Sequence, residues 1–99
     1  NGTNEITIPY IIDIVSKQYK LSPKDLISKT RSREIAYPRQ IAMYLCRKHT
    51  NFSLPQIGKN FGGRDHTTVL HAYEKIRKEL EKDKVLFNVI ENLNQRIGE

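Results

Sequence analysis

A chain of 99 residues fits one domain and is long enough to bury a core without a metal or disulfide staple. Seventeen Lys and Arg against eleven Asp and Glu give a net charge of +6 and an isoelectric point near 9.6, a balance that disfavours cationic ligands and favours an anionic partner, nucleic acid or an acidic membrane surface. Cys46 is the only cysteine, which excludes an intrachain disulfide, and no apolar run approaches the roughly 20 residues that span a bilayer, so a soluble protein of a reducing, intracellular compartment is expected.

Along the chain, Ile8, Ile11, Ile12, Val15 and Tyr19 follow the spacing of one helical face and predict a first helix. Thr7 is its candidate N-cap, and Pro9 falls in the first turn, where a missing N–H costs nothing. Ser22-Pro23-Lys24-Asp25 reads as a cap, a proline at the first helical position and an acid in the first turn, opening a short second helix through Leu26 and Ile27. Ser28 to Arg33 has no periodicity and three cations, Lys29, Arg31 and Arg33, and is expected to be a basic loop. It belongs to the more positive half of the chain, since residues 1–50 hold nine basic and four acidic side chains.

Ile35, Ile41, Ala42 and Leu45 predict a third helix ending near His49, with Pro38 either starting it or kinking it one or two turns in. Ser53-Leu54-Pro55-Gln56 is a capping box for a fourth helix about two turns long, which Gly62-Gly63 ends. Asp65 is a strong N-cap candidate for a long fifth helix with Val69, Tyr73, Ile76 and Leu80 on its core side. Leu86, Val89, Ile90, Leu93 and Ile97 supply a sixth. Nothing alternates with period two, so residues 1–99 read as a single all-α domain. The sole methionine is Met43 and the chain opens Asn1-Gly2-Thr3, which suggests a piece of a longer protein.

A short capped helix, a glycine turn and a longer helix, over about residues 53–82, form a helix-turn-helix pattern, whose second helix fits a major groove roughly 12 Å wide. At 100° per residue, the Val69 to Leu80 stripe points inward, while Thr67, His71 and Lys78 face outward and Asp65 and His66 project from the helix end. An Asp carboxylate can accept from cytosine N4, and a Thr methyl can pack on a thymine methyl. Helix-start statistics alone favour reading Asp65 and Thr67 as a cap and a first-turn residue; the outward His71 and the Gly-Gly-Arg turn narrow the margin over recognition and leave both readings open. Arg64 is open to two readings, a phosphate contact or a solvated charge, and Arg31 to two more, a minor-groove arginine or a solvated loop charge.

Cys46, His49, His66 and His71 superficially resemble a zinc arrangement, but His66 and His71 lie about 140° apart around a helix and cannot converge on one ion. Cys46 reads as a small core residue rather than a nucleophile, and no GxxxxGK[ST] phosphate loop occurs. Two competing functions remain: a helical module that docks an acidic protein, separable by its salt response on duplex DNA, and a small hydrolase built on Cys46, which thiol alkylation would abolish.

The run Phe61-Gly62-Gly63-Arg64-Asp65-His66-Thr67-Thr68-Val69-Leu70-His71-Ala72 closely resembles the signature of the C-terminal domain of the DnaA family. The likeness extends through Ser28 to Arg33, Pro38 to Met43 and Ser53 to Gly58, covering nearly all of the chain after about Ile6. It implies a six-helix domain with a Trp-repressor-like helix-turn-helix that binds DnaA boxes, nine-base-pair origin elements related to TTATCCACA. It also implies that Asp65, His66 and Thr67 read bases in the major groove with help from Pro55, and that Arg31 enters the minor groove. Lys29, Arg33, Gln40, Arg47, Thr68 and His71 are implied at the DNA backbone. Thr30 stands where the family often has arginine. The same likeness implies a cytoplasmic, nucleoid-associated parent protein that starts chromosomal replication, oligomerises on DNA and touches acidic phospholipid. ATP would be bound by an upstream domain of that parent, leaving this domain a monomeric, non-enzymatic binding module without a cofactor of its own.

Overall fold

The computed structural model of the chain describes residues 6–98; the opening Asn1-Gly2-Thr3 lies outside them. Six helices follow one another, and the described residues contain no strand: α1 (Ile8–Gln18), α2 (Pro23–Ile27), α3 (Arg33–His49), α4 (Leu54–Asn60), α5 (His66–Leu80) and α6 (Lys84–Gly98).

Local chemistry sets most of the boundaries. The Thr7 hydroxyl accepts from the Tyr10 N–H at 3.2 Å and caps α1, with Pro9 in the first turn. That helix ends where Lys20 takes a left-handed φ of 58°, and the Leu21 N–H returns to the Ser16 carbonyl at 2.8 Å while that of Lys20 returns to Lys17, a closing motif carried here by a non-glycine residue. Ser22 and Asp25 form a reciprocal capping box at α2, as Ser53 and Gln56 do at α4. The Asp83 carboxylate accepts from the Leu86 N–H at 3.0 Å at the head of α6.

The third helix starts earlier than Pro38. It opens at Arg33 and carries Pro38 in its second turn, so the basic loop is one residue shorter than the sequence suggests and Arg33 belongs to a helix. Ser32, at the N-cap position, makes no side-chain capping bond. This start rests on tertiary packing: from Pro38 to Cys46 every side chain except Gln40 is buried, so α3 is the central post of the fold.

Ile11, Val15, Leu26, Ile41, Leu45, Ile57, Phe61, Val69, Ile76 and Leu93 meet in one core around it. Tyr44 of α3 stacks on Tyr73 of α5 with ring centroids 5.2 Å apart. The last helix is fastened by polar bonds as well as by Leu86, Ile90, Leu93 and Ile97: Arg96 donates to the Gln18 carbonyl oxygen of the side chain at 3.0 Å, and the His49 and Asn94 side chains meet at 2.7 Å. Among the described residues no helix is long and apolar enough to cross a membrane, and no three His, Cys, Asp or Glu side chains are grouped to hold a metal ion.

Candidate nucleic-acid interface

The turn between α4 and α5 is tight because of glycine. The Arg64 N–H donates to the Gly58 carbonyl at 2.9 Å, and a Cβ on Gly58 would lie 2.2 Å from the Arg64 carbonyl oxygen. Gly62 has φ 78°, and a Cβ there would lie 2.4 Å from the Ile27 carbonyl oxygen, so the turn presses directly on the end of α2. Any side chain at either position would push the two helices of the motif apart or drive them off α2.

Asp65, His66, Thr67 and Thr68 are all exposed, and the helix beneath them is anchored by Val69, which is fully buried. Asp65 has the extended backbone of an N-cap, but its side chain does not cap α5. Its carboxylate instead accepts from the Thr67 hydroxyl at 2.7 Å and lies 3.1 Å from Nδ1 of His66. The Thr67 hydrogen bond is the main reason the Asp65 carboxyl is held below its ordinary pKa, with His66 adding to the effect. The three residues expected to read bases are therefore tied to one another before any DNA arrives. A carboxylate has about four acceptor directions, so two such bonds leave it able to accept from a base.

The remaining expected contacts divide into groups. Gln40, Thr68 and His71 line a groove of about 270 Å³ between α3 and α5. Lys75 lines it too and donates to the Gln40 side-chain oxygen at 3.1 Å. Lys75 is absent from the residues that the family likeness implies, yet Thr68, His71 and Lys75 stand at i, i+3 and i+7 on one stripe of α5, a spacing legible in the sequence. Arg33, Gln40 and Arg47 are spaced by sevens and share a face of α3; of these only Gln40 lines the groove, with Arg33 and Arg47 about 10 Å along the axis to either side of it. Pro55 is exposed in the first turn of α4, and Lys29 and Arg31 are exposed on the loop between α2 and α3.

Arg64 is not a simply solvated charge: it lines the groove beside Thr68 and His71 and is bonded to backbone carbonyls. Its guanidinium is half-buried, donating to the Ser28 carbonyl at 2.7 Å and to the Phe61 carbonyl. Arg39 is buried beside it and donates to the carbonyls of Leu26 at 2.7 Å and Ser28 at 2.9 Å. Desolvation lowers the pKa of both, and for Arg39 the charge of Arg64 adds to it. Two cations thus converge on the carbonyl end of α2, where the helix leaves its last acceptors without backbone donors.

The family description of the bacterial DnaA protein helix-turn-helix matches residues 8–76, from the first residue of α1 into α5. The chain belongs to the bacterial DnaA helix-turn-helix family. Its DnaA-type fold is also similar to a solved DNA replication initiation factor, with a TM-score of 0.81 and 31% identity over 91% of this chain. The chain spans 27% of the length of that protein. As a member of the DnaA helix-turn-helix family it is a DNA-binding domain of six helices, and the sixth lies beyond the part the family description matches. Cys46, fully buried in α3 with its thiol pushed up to about 12 by burial, offers no nucleophile to solvent.

Proposed function

We propose that this chain binds double-stranded DNA at DnaA boxes, nine-base-pair elements related to TTATCCACA, as a monomer on each box. Asp65, His66 and Thr67 read base edges from the major groove with Pro55 beside them, and Arg31 reads the minor groove. Lys29, Arg33, Gln40, Arg47, Thr68 and His71 hold the sugar-phosphate backbone. The observation that carries this reading is the Asp65-His66-Thr67 cluster, exposed at the entry of α5 and bonded internally, with no part in the core. A polar cluster that neither caps its helix nor packs against another is placed for a ligand, and acceptor, ring N–H and methyl together suit base edges.

In the longer protein, this module would deliver the initiator to the origin. ATP binding, assembly on DNA, contact with acidic phospholipid and a nucleoid location in the cytoplasm would be properties of that whole. The test is a titration of a fluorescent TTATCCACA duplex and of a scrambled duplex with wild type, His66→Ala and Thr67→Ala proteins. Selective loss on the box supports readout by this turn, and equal loss on both duplexes reduces it to a support facing phosphate.

A further inference from the structure

We propose that Arg64 is a positioning residue that fixes the minor-groove arginine, Arg31, relative to the major-groove readers at the head of α5; this rests on the DNA-binding reading above. Arg64 immediately precedes Asp65, and its own backbone is pinned by the N–H bond to Gly58. Its side chain crosses 36 positions of sequence to hold the Ser28 carbonyl at 2.7 Å, with the Phe61 carbonyl as second acceptor. Ser28 closes α2 and opens the basic loop. Its hydroxyl donates to the Asp25 carbonyl at 2.7 Å and accepts from the Thr30 N–H at 3.3 Å, and Arg39 shares its carbonyl. Arg31 is three residues further on, so its Cα can lie no more than about 10 Å from that of Ser28.

Arg64, sharing the Ser28 carbonyl with Arg39, therefore ties the head of α5 to the root of the loop that carries Arg31, the two elements that enter opposite grooves. Reading both grooves of one short site demands a fixed register, because an arginine displaced by a few ångströms leaves the narrow minor groove and meets only phosphate. A lysine at position 64 keeps the charge but lacks the planar fork that serves Ser28 and Phe61 together. Arg64 itself makes no base contact in this scheme.

The test is a double-mutant cycle read by fluorescence anisotropy on two duplexes, a box with its A/T-rich end intact and the same box with G·C pairs there. In wild type, Arg31→Ala is expected to reduce affinity for the intact box roughly tenfold and to remove the preference over the G·C duplex. In Arg64→Gln or Arg64→Lys the preference should already be largely gone, and adding Arg31→Ala should cost less than about twofold, while α5 amides stay protected from exchange. A full Arg31 penalty in the Arg64 variants, or an equal loss on both duplexes, overturns the proposal and leaves Arg64 a fold residue. If Arg31→Ala costs nothing in wild type, the minor-groove reading itself fails and the proposal falls with it. Should both Arg64 variants unfold, a glycine inserted between Lys29 and Thr30 loosens the tether with Arg64 intact. Loss of the A/T preference is then expected, and its retention overturns the proposal.

Discussion

Asp65 and Thr67 bring a carboxylate and a methyl-bearing hydroxyl to one exposed turn, and because both are exposed each can be removed without opening the core. Thr67→Ala is expected to weaken binding to a DnaA box by about 1 to 3 kcal/mol, leave a scrambled duplex nearly unaffected, and leave the circular-dichroism melt in place. Asp65→Ala should also melt close to wild type, because the carboxylate caps no N–H of α5 and the loss of about 1 kcal/mol usual for an N-cap does not apply. A thermal melt shifted by several degrees would show that the carboxylate caps α5 in solution. Cys46 gives a pH test with a definite sign. Burial holds the folded thiol neutral up to about 12, whereas an unfolded thiol ionises near 8.5. Its contribution is therefore complete below the unfolded value and is lost as pH rises from there toward the folded one. Iodoacetamide at pH 8 should leave the native thiol unmodified and label it rapidly in urea; fast native labelling would contradict its burial.

At the scale of elements, the turn between α4 and α5 depends on two different properties of glycine. Gly58→Ala must displace the Arg64 carbonyl, a backbone atom of a residue whose own N–H is bonded to Gly58, and is expected to cost about 3 kcal/mol. Gly63 has φ 77° but open space around it, so Gly63→Ala should cost only about 1 kcal/mol of left-handed strain. Thermal melts of the two variants measure this directly, and a Gly63 variant as unstable as the Gly58 variant would sink the close-packing account. The caps at Thr7, Ser22 and Ser53 were legible in the sequence because donor and acceptor lie three residues apart. The start of α3 was not, since packing over Pro38 to Cys46 overrides the absence of a cap at Ser32 and the proline in the second turn. Nor was the role of Arg64, whose acceptor Ser28 is remote in sequence and adjacent only in the fold. Asp65 illustrates a third case: its position was readable, but its carboxylate bonds the Thr67 and His66 side chains rather than capping the helix, a choice that sequence position does not specify.

For the molecule as a whole, a charge of +6 draws mainly on the first half of the chain, while the recognition turn itself is almost neutral. General attraction and major-groove readout are therefore expected to fall to different residues. Three cations, Lys29, Arg33 and Arg47, are expected to meet phosphate, which gives a slope of log affinity against log salt of about −3. Arg33→Ala should flatten that slope by about one unit and weaken all sequences alike, in contrast to Thr67→Ala. Sedimentation on a single-box duplex should show one protein per site, since one chain presents one recognition helix. The most direct test of the central claim is selection of duplexes from a random pool by the wild-type domain. A TTATCCACA-like nine-base-pair consensus should emerge, and the same selection with Thr67→Ala should relax it at a subset of positions. Recovery of duplexes with no shared sequence, or an identical consensus from both proteins, would contradict the assignment of base readout to the start of α5.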